Sequence, residues 1–153
     1  MTEQNNEERN KQSNEEYTQL KIQKGIRQQE DRLVIWIQEA LDKKSSYGDL
    51  EESQFRNVLR VAETTDSPEV IKNFLRYQVG RDKKWGRGKD SLAEKIVTDI
   101  GIEEQGGRLL ELASEIAKDA GSDDMPLIWI ELIRRYLGYG SRYLKYLRDG
   151  QKI

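Results

Sequence analysis

The chain has 153 residues, of which 35% are hydrophobic and 35% charged, with a formal net charge of -2; this is the composition of one soluble domain with a modest core and much charged surface. It contains no cysteine and no histidine, which excludes disulfides and cysteine metal sites and removes the commonest general base and metal ligand. No stretch approaches the ~18 apolar residues that span a bilayer, and no secretory-type apolar segment opens the sequence, so a cytoplasmic protein without membrane contact is expected.

Residues 1–27 are rich in Glu, Asn and Gln, with few apolar positions. Such a composition buries too little surface to order itself. A flexible, disordered or frayed polar tail is therefore expected, followed by a single helical domain over 28–150. Leu20, Ile22 and Ile26 could carry the first helix backwards once docked. That helix is expected over 28–43, with Leu33, Trp36, Ile37, Ala40 and Leu41 on one face. The turn Ser45-Ser46-Tyr47-Gly48 ends it.

A second helix is expected at 50–64, capped by Asp49 with Glu52 three residues on. Its apolar face is Phe55, Val58, Leu59 and Ala62. Arg56 and Arg60 are one turn apart and share a face. Paired guanidiniums suit phosphate, or they pair with nearby glutamates. Ser67-Pro68-Glu69 opens the third helix: a capping serine, proline in the first turn, an acid at the positive dipole end. Val70, Ile71, Phe74 and Tyr77 are its expected face, and Gly80 its expected end. Arg81 continues the series Val70, Phe74, Tyr77, which puts it at the edge of the buried face. There it would bind phosphate or the helix's own last carbonyls.

The segment from Arg76 to Lys89 is basic in an acidic chain. Lys83, Lys84, Arg87 and Lys89 surround Trp85, with Gly86 and Gly88 between them. Single-stranded nucleic acid needs such a combination, cations for its backbone and an aromatic platform for its bases. The alternative is a loop whose Trp85 packs back on the bundle. The segment is not a phosphate-binding P-loop, since no Gly-x-x-x-x-Gly-Lys-Ser/Thr occurs.

A short fourth helix is expected at 91–100, stopped by Gly101. A fifth spans 103–120, with Gly106 and Gly107 weakening its first turns. Asp119, Asp123 and Asp124 lack the spacing of a calcium loop, and Asp123 and Asp124 read as capping residues. No metal or cofactor is expected, and no carboxylate pair has a recognisable catalytic spacing, so the chain reads as non-catalytic. The last helix starts near Asp124-Met125-Pro126. Leu127-Ile128-Trp129-Ile130 makes it apolar on almost every side, the mark of a buried centre. Gly138 and Gly140 kink or end it near 137, and helical spacing resumes to Arg148. Unbroken, it would align Arg134, Gly138, Arg142 and Lys145 on one stripe, beside Arg135. Tyr136, Tyr139, Tyr143 and Tyr146 would line another, more a core or subunit interface than a base platform.

Five or six helices joined by short connections imply a compact all-α bundle, built from about 120 residues, enough for one core. Charge is unevenly placed along it. Residues 54–89 carry nine Lys/Arg against four Asp/Glu, residues 132–153 six against one, and residues 90–131 three against eleven. Separate basic and acidic faces are expected.

Two motifs give a family resemblance. Leu50-Glu51-Glu52-Ser53-Gln54-Phe55-Arg56 opens the second helix and Tyr77-Gln78-Val79-Gly80-Arg81 ends the third. Together, in a small helical protein lacking Cys and His, they resemble the small subunit of type III CRISPR effector complexes, of the Csm kind. The resemblance covers residues 30–148. It implies a non-catalytic helical subunit of an antiviral ribonucleoprotein, stacked in several copies beside guide RNA and target RNA and bound to other effector subunits. It also implies that Arg56 and Arg81 face nucleic acid. Two other readings remain open: a helical DNA-binding transcriptional regulator built on the second and third helices, and a protein–protein adaptor whose basic faces bind acidic partners. Salt-dependent RNA binding without sequence preference favours the first reading, and tight binding to one duplex site favours the regulator.

Overall fold

A computed structural model describes residues 2–151. The described residues form six α-helices: α1 (Thr2–Asp42), α2 (Glu52–Thr64), α3 (Pro68–Arg81), α4 (Leu92–Ile100), α5 (Arg108–Ala120) and α6 (Met125–Lys145). A 3-10 turn, Lys44–Ser46, follows α1, and a wider π-type turn, Tyr146–Gly150, extends α6. The fold is an all-α bundle, as the periodicity predicts. Among the described residues no helix is long and apolar enough to cross a membrane.

The bundle is organised around α6, which packs against α1, α2 and α5. Ile128, Trp129, Ile130, Leu132, Ile133, Tyr136, Leu137 and Leu144 are buried along it, while Leu127 stays exposed. The expected kink is absent, and α6 runs unbroken through Gly138 and Gly140. Gly140 is where the neighbours come closest. A Cβ there would lie 2.6 Å from Phe55 and 2.7 Å from Ile37. Glycine at this position therefore admits both α1 and α2 to the central helix.

The N-terminus differs most from expectation. In place of a tail ending at residue 27, α1 is one helix from Thr2, roughly 60 Å long at 1.5 Å per residue. Ile22 and Ile26 are buried, in register with Leu33, Ile37 and Leu41. Gly25 lets Ile116 of α5 approach to 3.1 Å of where a Cβ would stand. Among the described residues none before Ile22 is buried, so the first five turns are carried by helix continuity rather than by packing.

Local signals set most other ends. The Ser67 hydroxyl accepts from the Val70 amide and Pro68 stands in the first turn of α3. Ser91 caps α4 through the Glu94 amide, and Gly121, left-handed at φ 66°, ends α5. Two ends move. α2 is capped not by Asp49 but by Glu51, whose side chain accepts from the Gln54 amide while Gln54 Oε1 accepts from the Glu51 amide at 2.7 Å. α5 begins at Arg108 rather than 103, because Gly106 and Gly107 both take positive φ and fold 101–107 into a tight turn.

Candidate nucleic-acid interface

On α2 the Leu50–Arg56 motif divides into two tasks. Gln54 is spent on the capping box, which positions the first turn. Arg56 is exposed and pairs with Glu52 one turn back. That hydrogen bond holds the Glu52 carboxyl below the usual carboxylate range. Arg60, four residues on, is exposed and makes no ion pair among the described residues. The two arginines therefore differ, one held in place and one open.

On α3 the expected face is rotated. Ile71, Lys72 and Leu75 are buried, whereas Val70 is 47% and Tyr77 58% exposed. The Ile71 side of the helix meets α2 and α4, so Val70, Tyr77 and Arg81 face outward while Phe74 is half-buried against the core. Arg81 is consequently not at a buried edge. It is exposed, with its guanidinium 5.7 Å from the Tyr77 ring centroid. The helix continues through Gly80 to Arg81, and the Asp82 amide closes it on the Gln78 carbonyl. Arg76 projects from the exposed side.

The loop from Asp82 to Ser91 is anchored to the bundle. Trp85 is 1% exposed, with its ring 5.4 Å from that of Phe55. It is therefore not a base platform; its indole belongs to the core. The Lys84 carbonyl accepts from the Gly48 amide at 3.0 Å, and the Trp85 carbonyl from the Ala93 amide at 3.2 Å. Gly86 has φ 81°, and a Cβ there would lie 2.0 Å from the Ser46 carbonyl oxygen, so the two loops press together at a point only glycine allows. Two clefts flank this loop. Lys83 and Arg87 line one of about 330 Å³ with Ser45–Gly48 and Asp90. Arg76 and Lys89 line one of about 360 Å³ with Val79 and Glu94. From Arg76 to Lys89 there are six cations: Arg76, Arg81, Lys83, Lys84, Arg87 and Lys89. None of them makes an ion pair among the described residues.

The α6 cations are mostly committed to the fold. Arg134 is turned inward, its Nε donating to the Ala62 carbonyl at 2.8 Å and Nη2 to the Thr65 carbonyl at 2.9 Å. It also pairs with Asp66 at 3.2 Å, and so caps the C-terminal end of α2. Arg135 bridges α1 and α6 through Glu30 and Glu131. Lys145 pairs with Asp149 one turn on, which raises its pKa. Only Arg142 of this set is exposed without an ion pair among the described residues. The expected stripe is therefore broken where Arg134 leaves it. The tyrosines serve the core in part: Tyr136 is fully buried and donates to Asp99 Oδ2 at 2.7 Å, and Tyr143 donates to Asp42.

Two cations escaped the sequence reading. Lys72 is 1% exposed, its ammonium donating to the Gly101 carbonyl and to Glu69. Arg148 donates to the carbonyls of Leu50 and Gly48 at 2.8 and 2.9 Å, tying the last turn to the loop before α2. Glu69, three residues before Lys72, is the one local partner; the carbonyls that fix both cations are far away in sequence. Among the described residues no group of three acidic side chains could hold a metal ion.

The chain matches no protein-family model, no curated protein and no solved structure.

Proposed function

We propose that this chain is a non-catalytic small subunit of a type III CRISPR ribonucleoprotein, touching guide RNA or target RNA through a basic surface on α2, α3 and the loop after it. One observation carries the reading. The six cations from Arg76 to Lys89 stand on a helix end and a loop anchored to the core and make no ion pair among the described residues, while Arg134, Arg135 and Lys145 are paired elsewhere. Leaving a cluster of like charges unneutralised costs self-repulsion, and a polyanion removes that cost. The motif pair supports the narrower assignment, because Arg56 and Arg81, the residues it implies at nucleic acid, both stand on the surface. Each copy needs few phosphate contacts when several copies line one strand.

The test is a native pulldown of the tagged protein from its own host, with sequencing of bound RNA. Small RNAs of uniform length sharing a repeat-derived end, with larger co-purifying subunits, are expected. Recovery without RNA defeats the proposal. The regulator reading has one supporting observation: α2 and α3 are joined by only Thr65, Asp66 and Ser67, a connection of helix–turn–helix length. It requires site-specific duplex binding, which a genomic DNA-binding assay measures directly.

A further inference from the structure

With Trp85 in the core, the loop has no aromatic to offer a base. The aromatic that faces solvent here is Tyr77, 58% exposed on α3. Its ring is braced on two sides. The Phe74 ring lies 6.3 Å away between centroids, and the Arg81 guanidinium lies 5.7 Å from the Tyr77 centroid. Gly80 is three residues after Tyr77 and four after Arg76, so its missing side chain leaves a notch between them. A Cβ on Gly80 would meet nothing within 4 Å. Gly80 stands in the last turn of α3, without the positive φ that would call for glycine, and no contact in the fold requires it here. The open space one turn from the Tyr77 ring leaves room for a flat group laid on that ring.

Charge indicates the occupant. From Val70 to Arg81 there is no Asp or Glu, and Arg76 and Arg81 are exposed. Lys89 lines the same cleft as Arg76. A flat π-faced group on a polyanionic backbone is a nucleobase, and stacking on an aromatic beside cations is how unpaired strands are held.

We infer that Tyr77, Gly80 and Arg81 form a stacking notch for one unpaired base of a nucleic-acid strand, with Arg76 and Arg81 on the adjoining phosphates. The inference rests on the RNA-contacting reading and narrows it. The strand touching α3 is single-stranded or splayed at this point, since a base within a duplex has no free face. A second copy of the chain is the rival occupant of the exposed Val70 and Tyr77 surface.

The experiment titrates the full chain at low salt against two fluorescein-labelled strands of equal length, oligouridylate and an abasic sugar-phosphate oligomer. Oligouridylate should bind roughly fivefold or more tighter, the lower end of what one stacked base contributes. Tyr77→Ala should abolish that difference while leaving abasic binding unchanged, and Tyr77→Phe should keep it. Gly80→Gln should also abolish it, while its melting temperature rises because glutamine is the better helix former. That rise separates a filled notch from a damaged fold. Equal wild-type affinity for the two strands overturns the notch alone, as does a difference that survives Tyr77→Ala. Binding to neither strand overturns the RNA reading and the notch with it. If Tyr77→Ala instead abolishes self-association in sedimentation and leaves strand binding intact, the face is a contact between copies and the inference fails.

Discussion

Asp99 and Lys72 are each 1% exposed, and a buried charge is tolerated only when its partners are in place. Asp99 accepts the Tyr136 hydroxyl at 2.7 Å and lies 3.2 Å from Lys95. Tyr136→Phe removes that donor and leaves the carboxylate to Lys95 and to Arg108, 4.0 Å away. A loss of about 1–3 kcal/mol in urea denaturation is expected. Tyr139→Phe, at a half-buried position, should change little. Burial, then Asp99, holds the Tyr136 phenol well above its usual pKa. The hydrogen bond to Asp42 is the main cause that pushes Tyr143 up to about 12. Both phenols are protonated donors in the fold, while the unfolded chain titrates near pH 10. Above that pH the unfolded state binds fewer protons than the folded one, so stability falls as pH rises. Their contribution is complete below pH 10 and is lost as pH climbs towards 12 and beyond. Urea midpoints measured between about pH 9 and 12 should show the fall, and Tyr143→Phe should make it shallower.

Helix α6 holds two glycines two residues apart with opposite surroundings, which makes them a matched test of packing against propensity. A Cβ on Gly140 would lie 2.6 Å from Phe55, whereas one on Gly138 meets nothing within 4 Å. Gly140→Ala should therefore destabilise by about 1–3 kcal/mol through overpacking. Gly138→Ala should stabilise by up to about 1 kcal/mol through helix propensity. Thermal melts of the two variants should move in opposite directions, and a shared direction would mean that α6 does not meet α1 and α2 as described. The same contrast explains what was legible in the sequence. Signals complete within one turn read correctly: Ser67 with Pro68 opens α3 and Gly101 closes α4, as expected. Features settled by distant partners did not. The rotation of α3 depends on α2 and α4, so its apolar spacing pointed to Tyr77 where Leu75 is buried. Trp85 reads as a loop aromatic until Phe55 covers it. Asp49 resembles a cap, yet Glu51 and Gln54 form the closer reciprocal pair. In the polar N-terminal segment composition points to disorder while the apolar pattern points to helix: of Leu20, Ile22 and Ile26, expected as a backward extension of the first helix, the two isoleucines continue its buried stripe and Leu20 stays exposed.

Charge at the scale of the whole molecule is sorted by element. Glu111, Glu115 and Asp119 form an exposed acidic stripe on α5, while the stretch from Val70 to Arg81 carries no acid at all. The cations then fall into two kinds that sequence cannot separate, since Arg134 and Arg76 are the same residue in similarly basic surroundings. Arg134 is identified as internal by Ala62 and Thr65, more than sixty residues away; Arg76 is exposed and has no such partner among the described residues. This difference predicts two distinct phenotypes. If Arg76 and Arg81 neutralise phosphates of a single strand, Arg76→Ala and Arg81→Ala should each reduce the log–log salt slope of RNA binding by about 0.7, with melting temperature nearly unchanged. Arg134→Ala should leave the slope alone and lower stability by about 1–3 kcal/mol, because it strips the end of α2 of its donors. Titrations at several salt concentrations, paired with melts of the same samples, read both effects. A slope lost with Arg134 and retained without Arg76 and Arg81 would move the binding surface to α6 and break the link between unpaired charge and nucleic acid.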